Sequence, residues 1–322
     1  MNILILSCGT RNKLIRFFKE SFHSLPGGGR VIAADCSDWA PALYEADAFY
    51  LVPPMKDGGY LSRILEICEK EKADALLPLF EDELDLMAQN RDFFESRGIR
   101  VIVSEADTVA LCRDKYRFFT HLKENGLPVL PTFLTPEQFD RARAAGEADF
   151  PVFVKPVRGC GSVGISRVDC RELLEALFRY GKEELLIQKL ADGEEFGADI
   201  YVDMISGQPV SVFVKKKVRM RAGETEKSVS FCDPELFELI VRTVSTLRLR
   251  GPVDMDIFRM DGKYYISEIN PRFGGGYPHA WHAGLRFPDM IAQNLAGREN
   301  PVRIGNYEEG LRMMKYTDEL LR

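Results

Sequence analysis

Apolar residues in the first third of the chain come in short runs separated by amphipathic stretches. "NILILS", "RVIAAD", "ADALLPLF" and "IRVIVS" have the length and composition of buried strands. "KLIRFFKESF", "YLSRILEICEKEK" and "DELDLMAQNRDFFESRG" repeat apolar residues at helical spacing. This alternation predicts βαβ units and an open parallel sheet. Ligands of such sheets sit at the carboxyl ends of the strands, which here carry Gly9 and Thr10, then Asp35, then Glu81 to Glu83. Asp35 sits where a dinucleotide fold keeps its ribose-binding acid, but the first turn, "SCGTRN", has only one glycine, a poor fingerprint.

The pattern changes after "SEADTVALCRDKYRFFTHLKENGLPVLPTF". Ser104 followed by Asp107 resembles a helix start, and Gly126 and Pro128 end a second helix. From "DFPVFVKP" onward strands dominate, interrupted by the helices "RELLEALFRYG" and "PELFELIVRTVSTLRL". "ELLIQKL", "FGADIYVDMI", "QPVSVFVKKKVRM", "VDMDIFRM" and "KYYISEIN" read as a second, more antiparallel set.

Composition narrows the class. The chain has 322 residues, 45 % hydrophobic and 29 % charged, as expected of a globular enzyme of two or three domains. A net charge of −6 gives no pull towards nucleic acid. No stretch is long and apolar enough for a bilayer, so no membrane partner is expected. "MNILILSCGT" lacks a basic leader and reads as a first buried strand rather than a signal peptide. The seven cysteines are odd in number and form no C-x-x-C pair, which disfavours a disulfide framework and fits reduced thiols in the cytoplasm.

"FVKPVRGCGSVGIS", Phe153 to Ser166, contains G-x-G-x-x-G at Gly159, Gly161 and Gly164. A dinucleotide fingerprint opens directly into a helix, whereas "GISRV" reads as another strand. A hairpin flap suits covering phosphates with backbone N–H groups. No G-K-[ST] follows, which excludes a Walker A loop, and the kinase H-R-D and D-F-G motifs are missing. A ligand-free glycine turn is the competing reading.

"YYISEINPRFGGG" places Glu268 and Asn270 two residues apart on a strand, hence on one face. A "MDGK" turn joins it to "VDMDIF", so Asp256 sits across from Glu268. Two facing carboxylates repel without a cation, and an Asp, a Glu and an Asn suit Mg²⁺ completed by substrate phosphates. Arg272 follows, able to hold a phosphoryl group or carboxylate; a plain ion pair is the alternative.

In order, an upstream "D-K", "F-V-K-P…G-x-G-S-x-G-I" and "E-I-N-P-R" resemble the ATP-grasp superfamily, in its carbamoyl-phosphate-synthase-like and biotin-carboxylase-like members, over roughly residues 107–297. The resemblance implies an α/β and α+β fold: an open parallel α/β domain at 1–106, a small lobe with the glycine flap at 107–187, and a large lobe with the metal site at 188–322. It implies that Lys115 and Lys155 hold ATP phosphates and that Gly161, Ser162, Val163 and Gly164 close over them. Gln188, Lys189 and Leu190 would line the adenine, with Gln188 departing from the commoner Glu, and Glu195 would take the ribose. Asp256, Glu268 and Asn270 would hold Mg²⁺ (or Mn²⁺), Asp256 standing where many relatives have Glu or Gln. Arg272 and Asn270 would act at the reacting centre.

The implied activity is ATP-dependent ligation of a small-molecule carboxylate to an amine. The alternatives are a carboxyphosphate-forming enzyme acting on bicarbonate and an ATP-binding module without turnover. A homodimer is a family-level expectation. Other charged groups read as ordinary surface. Lys215, Lys216, Lys217, Arg219 and Arg221 form a run expected to be solvated, with Arg219 or Arg221 as weak substrate candidates. Glu81 and Glu83 read as solvated helix-start acids. His279 and His282 read as structural, or as bases for an incoming amine.

Overall fold

The computed structural model describes residues 1–159, 164–221 and 223–321, arranged around three sheets. The calls on Gly161, Ser162 and Val163 lie outside the described residues.

The first sheet is parallel, in the order β3-β2-β1-β4-β5. Its strands are β1 (Asn2–Leu6), β2 (Arg30–Asp35), β3 (Ala48–Leu51), β4 (Ala75–Pro78) and β5 (Arg100–Val101). Ile3 to Leu6 are fully buried, as a parallel strand covered on both faces requires. Helices α1 (Asn12–His23), α2 (Tyr60–Glu71), α3 (Glu81–Gln89) and α4 (Arg91–Glu95) complete the domain. The order of strands reverses between β1 and β4, which puts a crevice outside their carboxyl ends.

The sequence pattern missed β3, a short edge strand whose residues alternate between half-buried and exposed. It also read α3 and α4 as one helix; the chain breaks at Asn90, whose side-chain amide donates to the Leu86 carbonyl at 2.8 Å.

Helices α5 (Ala106–Arg113) and α6 (Lys115–Glu124) lead into a second, four-stranded sheet in the order β6-β9-β7-β8. It comprises β6 (Thr132–Phe133), β7 (Val152–Pro156), β8 (Ser166–Val168) and β9 (Leu185–Lys189), with α7 (Pro136–Ala144) and α8 (Arg171–Tyr180) packed on it. The glycine stretch therefore joins two antiparallel strands, β7 and β8, as the pattern predicts.

The third sheet holds β10 (Glu194–Val202), β11 (Pro209–Arg221), β12 (Glu224–Ser230), β13 (Gly251–Met260), β14 (Lys263–Asn270), β15 (Arg303–Ile304) and β16 (Arg312–Met314). Residues 224–230, which the sequence pattern assigns to no element, form β12. One face of this sheet is dry. Phe196, Ala198, Val212, Val214, Met255 and Ile257 pack there against Leu236, Ile240 and Val244 of α9 (Pro234–Leu247).

Helices α10 (Tyr277–His282) and α11 (Phe287–Leu295) fasten the sheet to the first domain. Phe17 of α1 stacks on Trp281 with ring centroids 4.4 Å apart, and one apolar core runs from Ile3 and Phe18 to Phe273 and Phe287. Burying these rings, each worth roughly 1.5–3 kcal/mol, makes the junction between first and third sheets a packed core rather than a loose contact.

Glu83 corrects an expectation. It is buried below the β1/β4 ends and accepts a hydrogen bond from the Tyr60 hydroxyl. Burial first, and the nearby Asp35 charge, push its carboxyl from 4.5 up to about 7. The folded chain then keeps a proton that the unfolded chain has lost, so this group's contribution is full below about 4.5 and is lost as pH rises towards 7. Glu83→Gln keeps the neutral shape. It should raise stability at pH 8 relative to pH 5 by on the order of 2 kcal/mol, read from chemical denaturation at both values. An equal effect at the two pH values would refute the buried neutral carboxyl.

Candidate functional site

The second face of the third sheet is ionic. Side chains alternate across each strand, so the residues between the apolar positions of β10, β11, β13 and β14 project together. They are Glu195, Gly197 and Asp199 on β10; Lys215 and Lys217 on β11; Asp254 and Asp256 on β13; Glu268 and Asn270 on β14. Register places Asp256 opposite Glu268 and Asp254 opposite Asn270, as expected of hairpin partners, after a bulge between Asp256 and Ile257 shifts the pairing by one residue from that beside the turn.

Lys215 and Lys217 are not solvated, contrary to the reading of the charge run. Lys215 is buried against Asp199. Lys217 bridges Glu195 at 2.8 Å and Asp256 at 2.6 Å. Although burial disfavours its charge, Asp256 and Glu195 hold Lys217 above its ordinary value. Gly197 lies under both lysines: a Cβ there would stand 3.1 Å from Lys217 Cε and 3.3 Å from Lys215 Cε. Arg219 and Arg221, farther along β11, are exposed and pair with Glu226.

Arg272 ends this face. Its guanidinium donates to Glu81 at the start of α3 and, at 3.0 Å, to Asp254 Oδ2. Glu81, expected as a solvated acid, thus bridges the first domain to the sheet. Burial disfavours the Arg272 charge, but Asp254 and Glu81 raise it above its ordinary value. Five carboxylates on the face (Glu195, Asp199, Asp254, Asp256, Glu268) meet three cations (Lys215, Lys217, Arg272). The Glu268 side chain makes no ion pair or hydrogen bond among the described residues. Burial, Asp254 and Glu268 drive the Asp256 carboxyl upward against the pull of Lys217. Two adjacent carboxylates, one without a partner, fit a divalent cation that takes its remaining oxygens from a phosphate-bearing substrate. No cluster of three or more metal-ligating side chains occurs among the described residues.

The four-stranded sheet supplies facing cations. Lys155 on β7 is buried, and its Nζ donates to Gln188 Oε1 on β9 at 2.8 Å. Gln188 in turn donates to Thr132 Oγ1 at 3.1 Å. The Lys155 charge is disfavoured by burial and by Lys115, and favoured by Glu268 and Asp256. Lys115 begins α6, where Asp114 caps the helix by accepting from the Arg117 amide. Its Nζ donates to the Gly159 carbonyl at 2.7 Å, at the base of the glycine stretch. Gly164, at the far end of that stretch, has φ +74°, a left-handed turn that glycine adopts freely. Lys189 and Leu190 follow Gln188 at the end of β9, half-buried. A cleft lined by Lys115, Gly159, Glu268, Asn270 and Glu81 brings the three sheets together.

His279 is a structural residue. It is buried between Ser228 Oγ at 2.8 Å and the Leu311 carbonyl at 3.1 Å. Burial, then Lys215, push it down to about 4. His282 packs edge-on to Phe17.

Comparison with known proteins gives this geometry a family. Residues 112–276, just over half of the chain, match the model of the ATP-grasp domain. The chain belongs to the ATP-grasp family. Residues 3–102 of this ATP-grasp protein match the N-terminal domain of the PylC-like family. The carbamoyl phosphate synthase large chain of Thermoplasma acidophilum is 24 % identical over 249 residues, covering 70 % of this chain and 23 % of its own. This ATP-grasp chain therefore spans about a quarter of the length of the synthase large chains it matches. Two solved structures share the fold. The biotin carboxylase domain of Hydrogenobacter thermophilus 2-oxoglutarate carboxylase aligns at TM-score 0.75 and 19 % identity, over 96 % of this chain and 73 % of that one. The L-amino acid ligase of Bacillus licheniformis aligns at TM-score 0.67 and 22 % identity, over 91 % and 73 %.

Sequence reasoning missed the structural parts of the site: Lys217, Glu81 and the run Gly274 to Gly276. That run lies against charged side chains. A Cβ on Gly274 would stand 2.3 Å from Asp254 Oδ1 and 3.1 Å from Asp254 Cβ. Gly274→Ala should therefore push Asp254 off Arg272 and lower stability by about 1–3 kcal/mol, measured by chemical denaturation. A variant as stable as the parent would show that the Asp254–Arg272 pair does not depend on this close approach.

Proposed function

We propose that the protein is an Mg²⁺-dependent ATP ligase that activates a carboxylate as an acyl phosphate and passes it to an amine. The observation that carries this reading is the Glu268 side chain, beside Asp256 and without an ion pair or hydrogen bond among the described residues, in one cleft with Lys115 and near enough to Lys155 to favour its charge. Phosphoryl transfer asks for positioning and charge neutralisation more than for covalent help, and these groups are of that kind.

In this reading Lys115 and Lys155 are point charges for the phosphates of ATP, and the 161–164 segment covers them. Gln188, Lys189 and Leu190 line the adenine. Glu195, oriented by Lys217, takes the ribose hydroxyls. Asp256, Glu268 and Asn270 would hold the metal, which when bound would supply positive charge to the phosphoryl group. A carboxylate oxygen of the substrate bonds to the γ-phosphorus as the bridging P–O bond breaks and ADP leaves. The amine nitrogen then bonds to the acyl carbon, the C–O bond to phosphate breaks, and the amine proton passes to solvent. Asn270 and Arg272 position the reacting groups, Arg272 being itself fixed by Glu81 and Asp254. We place the protein in the cytoplasm, where ATP and small metabolites are available; no helix among the described residues is long and apolar enough to cross a membrane. A homodimer fits the reading, since the 2-oxoglutarate carboxylase domain is described as a dimer.

The test is ATP turnover. ADP and phosphate release are measured with paired carboxylates and amines, with bicarbonate as a separate arm. Amine-dependent release should fall by at least about 10²-fold in Glu268→Gln. Undiminished release in that variant would remove the metal assignment. Lys155→Met separates binding from folding. It should lose stabilisation by MgATP while the ligand-free protein is as stable as the parent or more so, because a buried charge has been removed. Retention of the MgATP effect would exclude Lys155 from the phosphate site.

A further inference from the structure

Arg11 sits in the turn that leaves β1, at the crevice where the first sheet reverses its order. Its backbone is fixed. Gly9 N–H donates to Asp35 Oδ2 at 2.9 Å, and Arg11 N–H closes a turn on the Cys8 carbonyl at 2.9 Å. Asp35 therefore serves to hold this turn, not as the ribose acid its position suggests. The Arg11 side chain reaches the sheet-three side of the crevice, beside Gly275 and Glu224. A Cβ on Gly275 would stand 3.0 Å from Arg11 Nη1 and 2.7 Å from Glu224 Oε1, so glycine keeps this space clear.

The two arginines of the crevice are in opposite states. Arg272 is saturated by Glu81, Asp254 and the Phe273 carbonyl. The Arg11 side chain, 26 % exposed, makes no hydrogen bond among the described residues; its ion pair is Glu224 Oε1 at 3.6 Å, beyond hydrogen-bond length. Glu224 is itself drawn to Lys315 at 2.8 Å through its other oxygen. Burial, and then the Arg272 charge, disfavour the Arg11 cation, with Glu224 opposing them. A guanidinium carries five donors in a planar fork that matches a carboxylate. Here that fork is held beside Gly275, near the Arg272 cation, with no donor spent on a hydrogen bond among the described residues.

We propose that Arg11 is the specificity-determining residue for the amine substrate and grips a carboxylate on it, so that the amine donor is an amino acid. This rests on the ligase reading above and deepens it. The carboxylate to be activated must lie at the phosphates, by Lys155 and Glu268. Arg11 is not among the residues lining the cleft with Lys115 and Glu268; it lies by Gly275 on the Arg272 side, where a carboxylate is neutralised and kept from competing for phosphorylation. Glu224 orients the fork by attracting it without satisfying its donors.

Thermal shift tests this with a panel of standard L-amino acids and their carboxamides, each with and without the non-hydrolysable analogue MgAMP-PNP. At least one amino acid should raise the melting midpoint of the full chain, its carboxamide should not, and Arg11→Gln should weaken its binding by at least about tenfold while retaining the nucleotide shift. Arg11→Lys, which keeps the charge and loses the fork, should fall between; a merely structural role would not separate acid from amide. The inference is overturned if no amino acid acts, if carboxamides act equally, or if Arg11→Gln binds as the parent does. If amino acids discriminate as expected but the nucleotide gives no shift, the ATP reading fails and the carboxylate site stands.

Discussion

The guanidinium of Arg272 holds the site together. It donates both to Glu81, just past the carboxyl end of β4, and to Asp254, on the ionic face of the large sheet. A bidentate arginine between carboxylates is geometrically strict as well as strong. Removing either acid would leave a buried cation short of a partner, which is costlier than never having formed the pair. The apolar junction of Phe17, Trp281 and Phe273 brings the first domain and the sheet together. Arg272 then decides how they sit at the cleft. Glu268, Asn270 and Lys115 inherit their relative positions from that contact.

Charge on the sheet is organised by proximity rather than by balance. Lys215 and Lys217 pass over Gly197 to reach different acids, so a position without a side chain serves two ion pairs. Their heads are buried, where attraction is screened less than at a surface. The residual negative charge at Asp256 and Glu268 is left beside two lysines that repel one another. Such an arrangement is better satisfied by a phosphate chain and a cation arriving together than by either alone, which is the electrostatic logic of an ATP site.

The fold was legible in the sequence wherever burial imposes a local pattern. Parallel strands covered on both faces appear as unbroken apolar runs, and the short "MDGK" turn makes β13 and β14 hairpin partners, although the bulge between Asp256 and Ile257 that brings Asp256 opposite Glu268 left no mark in the pattern. The glycine stretch was correctly placed between strands because no helical period follows it. What escaped was non-local. Glu81 and Arg272 lie 191 residues apart, and no spacing rule relates them. Lys215 and Lys217 were read as solvated because a run of lysines looks like surface until neighbouring strands supply acids to meet it. The signal was present in one respect: strict alternation around Lys216, continuing the apolar alternation of β11, points two of the three lysines to one face. Glu83 escaped for the converse reason. Acids in a first helical turn usually sit in water, and only the packing of α2, which brings Tyr60 to Glu83, reveals a neutral carboxyl.

The alternation of dry and ionic faces also bears on how the chain finds its structure. Moving β11 by one residue against β10 would carry Lys215 and Lys217 into the hydrocarbon core around Phe196 and Met255, and bring Val214 out among the carboxylates. Every slip by an odd number of residues thus strands several charges at once, so the strands that build the cleft also proofread which face they present. Chemistry and folding fidelity are written in the same side chains, and a substitution that neutralises Lys217 would loosen both.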